Sequence, residues 1–188
     1  MRRLPLAINV NPATLDLVVS DVVNSLRTSG VERILLLNSH GGNEFKPLLR
    51  TLAGKDIQVF LCNWFQMVRD VYDEIFEYPE DHAGEMETSF ALAYFPHLVK
   101  KQADGSLHAD DGATRDSRFQ AVNEGWVQIT RRWDLLTTNC GSGYPHQATE
   151  EKGRDIMKVI VDRLACFLCE LSDSDLDDEF PFAISGEG

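Results

Sequence analysis

Basic residues are scarce in this sequence. Its 18 lysines and arginines stand against 30 aspartates and glutamates, a formal net charge of -12. No basic stripe exists to neutralise phosphates, which argues against a nucleic-acid or anionic-membrane partner. Cysteine is sparse too. The four, Cys62, Cys140, Cys166 and Cys169, make no secreted disulfide framework. Cys166 and Cys169 form a C-x-x-C on a helical stretch without a second pair, which reads as buried thiols. No apolar run is long enough to span a membrane. Met1-Arg2-Arg3 is followed too soon by Pro5 and Asn9 to make a signal sequence. The expectation is a cytoplasmic protein in a reducing compartment. Internal repeats and low-complexity linkers are also missing.

What is present is an ordinary globular composition: 188 residues, 43% hydrophobic and 26% charged. That suffices for one domain with a real core. We expect this domain over residues 1–171, followed by an acidic, flexible tail at 172–188. Asn11-Pro12 starts a helix, with Asn as N-cap and Pro at the first helical position. Its apolar face carries Leu15, Val18, Val19, Val22, Val23 and Leu26, and Gly30 ends it. Val31 to Asn38 lacks polar alternation and reads as a strand buried on both faces. A helix over Glu44–Leu52 and a strand over Ile57–Cys62 follow. The order helix, strand, helix, strand predicts a parallel sheet with right-handed crossovers. Residues 66–80 read as a loop or short helix, and 100–120 as a polar surface excursion. Trp126 to Thr130 reads as another strand, and the last helix runs from about Ala148 to Leu171. Its apolar stripe is Ile156, Val159, Ile160, Leu164, Phe167 and Leu168.

Two histidine clusters stand out. After the first strand comes Asn38-Ser39-His40-Gly41-Gly42-Asn43, where the glycines let the backbone turn sharply. Ligands in open parallel sheets bind outside the carboxyl ends of strands. Farther on, Asp81-His82-Ala83-Gly84-Glu85-Met86-Glu87-Thr88-Ser89 is a polar loop opening a helix. Each histidine by itself reads as a turn or loop cap, and Glu87 as a helix-surface carboxylate. Together in one α/β domain they suit a divalent metal or general acid–base work.

These residues resemble a known family. Asn38 to Asn43 is similar to the N-G-H-G-G-N signature of the creatininase family of metal-dependent amidohydrolases, and His82 to Ser89 to its H-A-G-x-x-E-T-S signature. Gly143-Tyr144-Pro145 with Ala148-Thr149-Glu150-Glu151-Lys152-Gly153 resembles its closing G-x-P…A-T-x-E-K-G stretch. The resemblance implies a three-layer α/β/α fold with a mainly parallel sheet. It implies a divalent metal cofactor (zinc, manganese or iron), and hydrolysis of a C–N bond in a cyclic amide or formamide. His40 matches a metal ligand, and Glu87 is the candidate for a second. His82 matches a proton-moving histidine with Glu87 beside it, so both are catalytic candidates. Trp64, Asn43 and Asp81 are the substrate-binding candidates. A small-molecule amide and further copies of the chain are the implied partners.

The family also opens with a segment like G-S-x-E-Q-H-G…H-L-P…T-D, which supplies a glutamate, a histidine and a bridging aspartate to the metals. No such segment is seen before Asn9. Two readings follow. One is a creatininase-type hydrolase whose first segment lies upstream of Met1. The other is an inactive remnant of the family that binds a small ligand or a partner subunit.

Overall fold

The computed structural model describes residues 8–54 and 56–182. The helices are α1 (Pro12–Thr28), α2 (Lys46–Leu52), α3 (Tyr72–Ile75), α4 (Glu85–Tyr94), α5 (Gln120–Asn123), α6 (Trp133–Leu136) and α7 (Glu150–Asp173). The strands are β1 (Arg33–Asn38) and β2 (Gln58–Asn63). The chain divides into two compact units: Met1–Ser20 with Val68–Lys158, and Asp21–Met67 with Val159–Gly188. The boundaries fall inside α1 and α7.

The second unit carries the sheet. The Asn11 side chain takes the Ala13 N–H at 2.9 Å, which caps α1 as expected. Gly30, at φ +81°, closes the helix. Its N–H bonds to Arg27 O while Val31 N–H bonds to Leu26 O, the paired bonds of a left-handed helix stop. β1 and β2 then pair in parallel, in step from Arg33 with Gln58 to Asn38 with Asn63. The core of this unit is apolar: Val23, Phe45, Leu48, Leu52, Ile57, Ile160 and Leu171. Phe180 meets the Phe60 ring edge-on at 6.1 Å, so the stretch after α7 returns to β2. The first unit is built around Val68, Phe76, Met86, Leu92 and Ile156.

Four expectations need correction. Trp126 to Thr130 is not a strand: Trp126 is 75% exposed and Ile129 62%. The Val127 N–H bonds to Ala121 O, so this backbone is spent on a turn after α5 rather than on a ladder. β1 is not buried on both faces; Leu37 is exposed, because among the described residues only β2 pairs with it. The apolar face of α1 buries Val23 alone, leaving Val18, Val22 and Leu26 exposed. Cys166 and Cys169 are exposed, not buried. On α7 the buried positions are Gly153, Ile156, Ile160 and Leu171, and the thiols lie off that stripe.

Candidate functional site

The loop after β1 is organised by Asn38, which is 2% exposed. Its amide donates to Asn63 Oδ1 at 2.7 Å. Its oxygen accepts from His40 N at 3.2 Å and from Asn43 Nδ2 at 3.1 Å. The two strand ends are thereby tied together, and Asn43 is a structural brace of the loop. His40 is exposed, and its Nδ1 accepts the Gly42 N–H at 2.9 Å. A Cβ on Gly42 would lie 2.9 Å from His40 Cε1, so any other residue there would push the exposed ring aside. Trp64 Nε1 donates to Ser39 O at 3.1 Å, which pins the indole beside this loop.

His82 and Glu87 belong to the other unit, at the start of α4. His82 Nδ1 lies 3.6 Å from Glu87 Oε2, an ion-pair distance just longer than a hydrogen bond. Glu87 Oε2 also accepts the Ala83 N–H at 2.6 Å. The His82 and Trp133 rings meet edge-on, with centroids 5.3 Å apart. Asp81 sits next to them, but its carboxylate is taken by Arg131, whose guanidinium stacks 4.7 Å from the Trp133 ring. That pairing raises the Arg131 pKa above its ordinary value. The His82 backbone is held by two bonds to Ser142, His82 N to Ser142 O at 3.2 Å and Ser142 N to His82 O at 2.8 Å.

His82 and Glu87 line an open depression of about 580 Å3 together with Lys100, His108, Asn139 and Cys140. Ala83 (φ +54°) and Cys140 (φ +69°) also line it, and they are the two non-glycine residues with positive φ among the described residues. Such backbone is costly, of order ~1–3 kcal/mol each, and concentrates at functional sites. The stretch read as a polar excursion thus supplies Lys100 and His108 to the wall. Nothing in local patterning marked them, since a polar loop over a site and a polar loop in solvent have the same composition.

The family model for creatininase (creatinine amidohydrolase) matches residues 1–168. The chain belongs to the creatininase family. The crystal structure of a Bacteroides fragilis protein provisionally named a creatinine amidohydrolase is 36% identical, with a TM-score of 0.84 over 95% of this chain and 69% of that one. A Pseudomonas putida creatinine amidohydrolase is 29% identical over 109 residues, 48% of this chain and 41% of that protein. A Thermotoga maritima 3-dehydro-scyllo-inosose hydrolase is 30% identical over 99 residues, 48% of this chain and 32% of that protein. The chain spans less than half the length of these two relatives. Its fold is the α/β creatininase type with a parallel sheet, as the signatures implied.

The creatininase signatures interlock for a steric reason. A Cβ on Gly143 would lie 2.6 Å from Gly84 Cα, so the third signature lies directly against the second. Gly153 meets Ser89 the same way: its Cβ would lie 2.6 Å from the Ser89 carbonyl carbon. Ser89 Oγ in turn accepts the Thr149 N–H at 3.2 Å.

Similar structures include a Zn-Zn type creatininase (TM-score 0.68) and a manganese one (0.65), each 23% identical. Divalent metal is named for those two proteins. Among the described residues of this chain, no three His, Cys, Asp or Glu side chains could hold an ion together. The two expected ligands are also engaged. With Nδ1 accepting from Gly42, a neutral His40 ring carries its proton on Nε2, whereas a ligating imidazole offers one lone pair and donates from the other nitrogen. Glu87 gives its oxygen to Ala83. His40 Nδ1 and Glu87 Oε2 each hold a contact within their own loop.

Proposed function

We propose that the chain acts as a creatininase-type hydrolase on a C–N bond of a small cyclic amide or formamide, with His82 and Glu87 as its acid–base pair. The observation that carries this reading is the His82–Glu87 pair facing a depression bordered by backbone at positive φ. Glu87 lies beside Nδ1, leaving Nε2 to work on substrate. His82 takes a proton from the attacking water as its oxygen bonds to the carbonyl carbon. It returns that proton to the nitrogen as the C–N bond breaks, giving an acid and an amine. Trp133 beside the ring limits its rotation. Trp64 remains a proposed substrate-binding residue, and self-association remains part of the proposal. Metal would be a family contribution outside these steps.

The test is turnover of creatinine and simple formamides by the full chain and by His82→Gln. General acid–base groups contribute ~10²–10⁴-fold, so the variant should lose activity by that order. Equal turnover in both proteins removes His82 from the mechanism. A chain with no turnover of any amide supports the second reading, an inactive ligand- or partner-binding family member. The engaged state of His40 Nδ1 favours that alternative.

A further inference from the structure

The helix bearing Glu87 lacks a side-chain cap of its own. Its N-cap residue is Gly84, which has no side chain to offer. The donors an N-cap side chain would satisfy are the N–H groups of the second and third helical residues, here Met86 and Glu87. Both are taken by one carboxylate from outside the helix. Glu80 Oε2 accepts Met86 N–H at 2.7 Å and Glu80 Oε1 accepts Glu87 N–H at 3.1 Å. The same Glu87 then turns its own carboxylate back to Ala83 N–H and toward His82. This is the reciprocal logic of a capping box, with Glu80 replacing the usual Ser or Thr.

Two signature glycines leave room for this arrangement. A Cβ on Gly84 would lie 2.5 Å from Glu80 Oε2 and 2.6 Å from Glu80 Cβ. A Cβ on Gly143 would lie 3.0 Å from Glu80 Cβ. Either side chain would drive Glu80 out of its seat. The glycines of two signatures therefore converge on a glutamate that lies outside both.

We propose that Glu80 is the positioning residue of the site: its carboxylate clamps the first turn of α4, and so holds Glu87 in the orientation that faces His82. The functional meaning of this role rests on the hydrolase reading above. Glu80 does not touch the depression lined by His82 and Glu87; it acts through the backbone of Glu87.

The experiment compares the full chain with Glu80→Ala, Glu80→Gln and the control Glu77→Gln by nuclear magnetic resonance. Amide exchange is followed at Ala83, Met86 and Glu87, together with the ring protons of His82. In Glu80→Ala the three amides should exchange about fivefold faster, the equivalent of the ~1 kcal/mol of a helix cap, and the His82 ring signals should move. Glu80→Gln keeps one acceptor oxygen and should fall between the two, and it carries the same test should the alanine variant not fold. Glu77→Gln, which loses a carboxylate toward Lys152 and none at α4, should leave all four probes at their wild-type values. If Met86 and Glu87 respond while Ala83 and the His82 ring do not, Glu80 is a cap and nothing more, and the proposal is overturned. Loss of the hydrolase reading shows instead as missing turnover with these signals unaffected.

Discussion

Lys152→Met should be the most damaging single change away from the depression. Glu85, the first residue of α4, is 0% exposed. One of its oxygens accepts the N–H groups of Glu77 at 2.9 Å and Tyr78 at 3.2 Å. The other is bonded to Lys152 Nζ, which also reaches Glu77 at 3.3 Å and Gln147 O at 3.2 Å. Burial alone would lower the Lys152 pKa; its bonds to Glu85 and Glu77 outweigh that and hold it above its ordinary value. Without the ammonium, a carboxylate is left in the core with two backbone donors and no counter-charge. Breaking a buried pair from one side costs ~3–5 kcal/mol. Lys152 keeps 21% of its side chain exposed, so the low end, about 3 kcal/mol, is expected. A typical domain holds only ~5–15 kcal/mol in total. With a urea slope of ~2 kcal/mol/M, the unfolding midpoint should drop by about 1.5 M. Combining Lys152→Met with Glu85→Leu should recover much of the loss, since neither charge then remains buried. Urea titration followed by circular dichroism measures all three proteins. A Lys152→Met loss below ~1 kcal/mol would refute the reasoning, because only a solvent-screened pair is worth so little.

Burial of Glu80, with the nearby Glu87 and Glu85 charges, raises its pKa to about 7 against the bonds from Glu87 and Met86 that pull it down. A carboxyl whose folded pKa lies above its unfolded one is protonated more readily in the native state. Stability should therefore fall as pH rises between about 4.5 and 7, by roughly 1–3 kcal/mol, and Glu80→Gln should flatten that slope in pH-dependent denaturation. Gly153→Ala would ordinarily gain up to ~1 kcal/mol inside a helix. Here the new Cβ meets Ser89 backbone, so a loss of ~1–3 kcal/mol in thermal or urea unfolding is expected, and a gain would show that α4 and α7 can move apart at no cost. Glu87→Gln should reduce turnover by less than His82→Gln, because an amide still accepts from Ala83 but does not stabilise an imidazolium; steady-state kinetics of both variants decides it.

Local chemistry made much of this protein legible from its residues. Asn11-Pro12 and Gly30 bound α1 because capping and left-handed backbone are properties of single residues. The apolar runs before Asn38 and Asn63 became parallel partners because a helix between two such runs leaves few topologies open. The three glycine-bearing signatures, and the pairing of His82 with Glu87, were likewise readable, since His and Glu five positions apart flank the first turn of a helix. Other features were decided only by residues far apart in the chain. Trp126 to Thr130 has strand-like side chains, yet its backbone found a turn carbonyl instead of a ladder. The engagement of Asp81 by Arg131, the buried Glu85–Lys152 pair and the Lys100–His108 wall each depend on a distant segment. Glu80 is the sharpest case. A glutamate before a histidine signature carries no local mark of its role, because that role comes from two backbone N–H groups and two glycines that only the fold brings around it.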